Sequence, residues 1–89
     1  MRGIERREKR YVEVIADMDE DGRVVPLEVV WADGRHFAVS KILDVRRRAS
    51  MKVGGTGICY TVRVGGSRES TYLFREGDRW FVEAKVPGE

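Results

Sequence analysis

Asp17, Asp19, Asp21, Gly22 and Glu28 reproduce the spacing of an EF-hand calcium loop. In such a loop, carboxylates at alternate positions converge on one hard cation. The glycine permits the sharp turn, and the last glutamate binds through both oxygens. The flanks oppose that reading. An EF-hand needs a helix on each side, yet Tyr11–Ile15 are strand formers. Val29, Val30 and Trp31 propagate a helix poorly, and Asp33-Gly34 would stop one within about two turns. The same carboxylates serve as a polar turn between two strands, with Glu28 facing solvent and no metal bound.

A second group is basic. Arg46, Arg47 and Arg48 are followed by Lys52, with Lys41 and Arg63 as possible neighbours. Clustered cations neutralise phosphates, and exposed aromatic rings can stack on bases. On an extended chain Arg46 and Arg48 share one face and Arg47 opposes them. Tyr60, Tyr72, Phe74 and Trp80 alternate with polar residues and are expected in the core. Tyr11, Trp31 and Phe81 are the rings expected outside. The competing reading makes the arginines a solvated connection that offsets an acidic block. The net charge of +2 hides that segregation. Residues 1–10 carry five basic and two acidic groups, residues 11–40 carry two and seven, and residues 41–52 carry five and one.

Other chemistry is excluded by number or geometry. One Cys and one His cannot make a zinc site within one chain. Ser40, His36 and Asp44 lie along one strand, which cannot fold its own side chains into a triad. Cys59 has no evident activating base and reads as a buried thiol. Gly54-Gly55-Thr56-Gly57 is not followed by Lys-Ser/Thr and leads into a strand rather than a helix. The sequence therefore predicts no enzyme and no cofactor.

The elements that must position these residues are strands. Val25, Leu27, Val29 and Trp31 alternate before Asp33-Gly34, and Phe37 and Val39 follow it. Tyr72 and Phe74 alternate before Glu76-Gly77-Asp78, and Trp80, Val82, Ala84 and Val86 follow. Period-two runs joined by Asp-Gly or Gly-Asp turns predict hairpins. Six strands are expected near residues 11–16, 24–31, 35–45, 58–64, 71–75 and 79–86, with a short seventh possible near Met51. Pro26 implies an edge or a bulge in the second strand. Lys41 falls on the face of Phe37, Val39, Leu43 and Val45 and so implies a bulge or strand end in the third. Arg46–Lys52 is expected as a basic connection. The fold class is all-β: a small antiparallel six- to seven-stranded barrel, of SH3 or OB size, because closure removes exposed edges. Residues 1–10 are expected as a mobile basic arm and residues 11–89 as one domain, since 89 residues build a single core. One cysteine and no apolar leader or membrane-length run predict a reducing, cytoplasmic setting away from membranes.

Asp21-Gly22-Arg23, Pro26, Trp31, Gly34-Arg35, Phe37, Val39 and Ile42-Leu43 are followed by Tyr72-Leu73-Phe74 and Trp80-Phe81-Val82-Glu83. Over roughly residues 11–86 this pattern resembles small bacterial all-β domains of unknown function. Some of these stand alone, and others end translesion-polymerase-like accessory proteins. The chain departs from the polymerase-linked version in having no Trp-rich segment after its third strand. The resemblance implies no catalytic residue and adds weight to a nucleic-acid role. The expectation is a non-catalytic binding module contacting nucleic acid through Arg46, Arg47, Arg48 and Lys52. The alternatives are a module for a larger protein partner or calcium capture by loop 17–28.

Overall fold

The computed structural model describes residues 7–50 and 56–85. Six antiparallel strands close into a barrel in sequence order: β1 Arg7–Met18, β2 Val24–Val30, β3 His36–Ala49, β4 Thr56–Val64, β5 Thr71–Glu76 and β6 Arg79–Lys85. Sequential antiparallel neighbours need only short turns. Gly34 (φ 88°) and Gly77 (φ 62°) supply the left-handed backbone that the tight turns before β3 and β6 require.

Two long strands turn the corners of the barrel, each changing partner along its length. The first half of β1 pairs with β6 from Arg7↔Lys85 to Val12↔Trp80, and its second half pairs with β2. β3 touches β2 only from His36 to Ala38, then runs beside β4 from Val39 to Ala49. The register shifts at both bends: between Ile15 and Ala16 opposite Leu27, and twice along Val39–Asp44. Such bulges concentrate the bend that lets a small sheet close. Pro26 thus sits at a bulge, as its missing N–H requires, and Lys41 lies at one too.

The barrel interior holds Val29, Tyr60, Val62, Leu73 and Trp80, with Val12, Val14, Ile42 and Ile58 among those packed around them. Tyr60 and Trp80 rings lie 5.3 Å apart, and the Tyr60 hydroxyl donates to the Val24 carbonyl at 2.7 Å. A buried phenol is thereby satisfied.

Several expectations are corrected. β1 begins at Arg7, so residues 7–10 of the expected arm belong to the barrel wall; residues 1–6 lie outside the described residues. β3 continues to Ala49, so Arg46–Arg48 are strand and not a connection; Met51 and Lys52 lie outside the described residues. The bulges shift the faces locally. Leu27 and Leu43 are exposed, while Pro26 and Ile42 turn inward; past the second bulge of β3, Val45 is back on the side of Tyr60 and is nonetheless exposed.

Candidate binding face

β4, β5 and β6 bury side chains on both faces. Tyr60, Leu73 and Trp80 point into the barrel, so their neighbours Cys59, Phe74 and Phe81 point out of it. Yet Cys59, Phe74 and Phe81 are 1%, 1% and 0% exposed. Register explains how they meet: Cys59 faces Phe74, Phe74 faces Phe81, and Phe81 faces Tyr11. The two phenylalanine rings stack 4.8 Å apart, and Tyr11 meets Phe81 edge-on at 6.0 Å. Ser50, just past β3, donates to the Glu83 carboxylate on β6. The end of β3 is therefore tied to a strand three places further round the barrel.

Cations cap this aromatic layer. Lys9 Nζ lies 4.6 Å from the Phe81 ring centroid, and the Arg79 guanidinium lies 3.4 Å from that of Tyr11. Arg48 lies 4.9 Å from that of Tyr72, whose ring meets Phe74 edge-on at 6.3 Å. Arg46 opposes Cys59 in the ladder and is held by Asp44, Nε to Oδ2 at 2.7 Å. That hydrogen bond and the Asp44 charge raise the Arg46 pKa. Glu76 is tied by the Tyr11 hydroxyl at 2.8 Å and by Lys9 Nζ at 3.3 Å. The Tyr11 bond, then the Lys9 bond, hold its carboxyl below the usual range. Burial pushes the Cys59 thiol up, against the nearby Arg48 charge, so the thiol stays protonated and inert.

The expected basic site is divided by this geometry. Arg46 and Arg48 share the outer face as strand alternation requires. Arg47 pairs with Ile58, on the opposite side, and Lys52 lies outside the described residues. Lys41 faces Arg63 further along the same ladder. Lys9, Tyr11, Tyr72 and Arg79 complete the face, and sequence alternation alone misassigned two of its rings. Tyr72 is 37% exposed and Phe81 is fully buried, the reverse of expectation. A strand read by period two is given one buried face, whereas here the second face is covered as well.

Asp19 and Glu28 of the calcium pattern have structural partners. Asp19 Oδ1 accepts the Asp21 and Arg23 amides at 3.0 and 2.9 Å, closing the β1–β2 turn. Glu28 lies on β2 and meets His36 Nδ1 across the β2–β3 pair at 2.7 Å. No helix flanks the loop, and no metal-ligating cluster occurs among the described residues. The outer face holds hydrogen-bond donors, charges and rings. Such a surface can hold anions and planar groups. Comparison with family models, with curated proteins and with solved structures returned no match.

Proposed function

We propose that the protein is a non-catalytic binding module that contacts nucleic acid through the outer face of β3–β6 and the start of β1. One observation carries the reading: Arg48 lies over the exposed ring of Tyr72, with Arg46 on the same face of β3. Phosphate needs cations and a base needs a flat partner, and this arrangement offers both side by side. Arg7, Lys9, Arg63 and Arg79 add positive charge to the face against Asp44, Glu76 and Glu83. The Asp44–Arg46 pair leaves Arg46 one side of its guanidinium for an incoming oxygen. A reducing, cytoplasmic setting accords with a single, buried thiol.

The test is fluorescence anisotropy with a labelled 12-nucleotide single-stranded DNA and its RNA counterpart, at low and at moderate salt. Binding should weaken steeply with salt. Arg48→Ala should weaken it about tenfold, as expected for a lost phosphate or stacking contact. Arg47→Ala, on the opposite side of β3, should leave it unchanged. Equal losses for both variants, or binding indifferent to salt, would sink the proposal.

A further inference from the structure

The β5–β6 ladder stops at Phe74↔Phe81. β5 nevertheless continues beside β4 to Thr71, and β6 continues beside β1 to Lys85. The two strands part, and a cavity of about 350 Å³ opens between Thr71–Leu73 and Val82–Ala84. Its lining is mainly apolar, with Trp31, Phe37, Val62 and Val64 beneath the two lips and Arg35 as a charged member. In the register fixed by the Gly77-Asp78 turn, Tyr72 and Glu83 would form the next hydrogen-bonded pair. They do not. The Glu83 carbonyl instead accepts a bond from Arg7 Nη1 at 3.2 Å.

We propose that this cleft binds an extended peptide segment of a partner protein, one with a bulky apolar side chain. An extended peptide turns one N–H and one C=O to the same side at every second residue. That is the complement of the Tyr72 main chain, and the alternate side chain would fill the cavity. A small apolar molecule would fill the volume but leave the Tyr72 amide unmatched, and a phosphate chain gains nothing from an apolar floor. The site uses the main chain of Tyr72 and the barrel interior, not the outer ring face, so it stands apart from the nucleic-acid reading.

The test is selection of random dodecapeptides displayed on phage against the intact protein. Binders to the Ala84→Trp variant, whose indole fills the mouth, are subtracted. Matching amide spectra away from the cleft show that the variant folds; Val82→Phe replaces it should it not. Enriched peptides should carry apolar residues at alternate positions. A synthesised winner should shift the amides of residues 71–73 and 82–84. It should lose about tenfold in affinity when N-methylated opposite Tyr72, the worth of a main-chain hydrogen bond. No enrichment over the filled variant would overturn the proposal, as would shifts confined to the outer face. Undiminished binding of the N-methylated peptide would replace it with a plain apolar-ligand pocket.

Discussion

Gly57 shows how tightly the outer face is drawn. A Cβ at this position would meet the carbonyl oxygen and carbon of Arg75, which are backbone atoms of the adjoining strand. Gly57→Ala should therefore lower stability by about 2 kcal/mol or more in denaturant unfolding, since overpacked backbone cannot yield cheaply. Gly66→Ala, with nothing near its Cβ, should cost much less. The stacked phenylalanines make a second contrast. Phe81→Ala should cost about 3–5 kcal/mol. Tyr72→Ser should cost far less stability while still weakening nucleic-acid binding, because that ring is part-exposed and lies under Arg48. Glu76 adds a pH dependence. Its folded pKa is depressed by the Tyr11 hydroxyl and then Lys9. The stability it contributes is complete above its ordinary pKa of 4.5 and is lost as pH falls through the lower folded value. Acid titrations of unfolding should show Glu76→Gln differing from the parent at neutral pH and converging with it once the pH has fallen through the depressed folded pKa.

At the scale of strands, what the sequence discloses depends on whether a single period governs the element. β6 and its turn are legible because Glu76-Gly77-Asp78 has the required chemistry and Trp80, Val82 and Ala84 keep one face. β3 is not. Lys41 announced an interruption, but nothing local says which neighbour becomes the extra residue or that a second bulge follows, so Ile42 and Leu43 were assigned to the wrong faces, while Val45 returns to the inner side opposite Tyr60. The same happened at Pro26-Leu27, where the proline marked the bulge and the bulge hid the inversion. Register makes the correction testable. Ile42→Ser should cost about 2 kcal/mol as a half-buried side chain packed on the core is lost, whereas Leu43→Ser should stay within about 1 kcal/mol. Equal effects would mean that β3 keeps one period throughout. The candidate face was legible only in part. Arg46 and Arg48 were visible as a charge run, but Lys9, Tyr11, Tyr72 and Arg79 come from three other strands and meet only through long-range pairing.

For the molecule as a whole, closure is complete in order but uneven in strength. The β3–β4 ladder holds nine register pairs, while β5–β6 and β2–β3 hold three each. Amide exchange should follow this gradient. Residues 58–62, paired on both sides, should exchange slowest, and Tyr72 and Glu83 at the parted lips should exchange early. Uniform protection around the barrel would contradict the opening between β5 and β6.

The turn closed by Asp19 has a consequence at a distance. Asp17, Asp19, Glu20 and Asp21 crowd the β1–β2 end, while the outer face of β3–β6 is rich in arginine and lysine. The near-zero net charge thus conceals a permanent dipole. In the field of a polyanion such a body feels little net pull but a definite torque. It would arrive already turned, arginines foremost and acidic turn trailing, so that the carboxylates of that turn would act on the orientation of encounter.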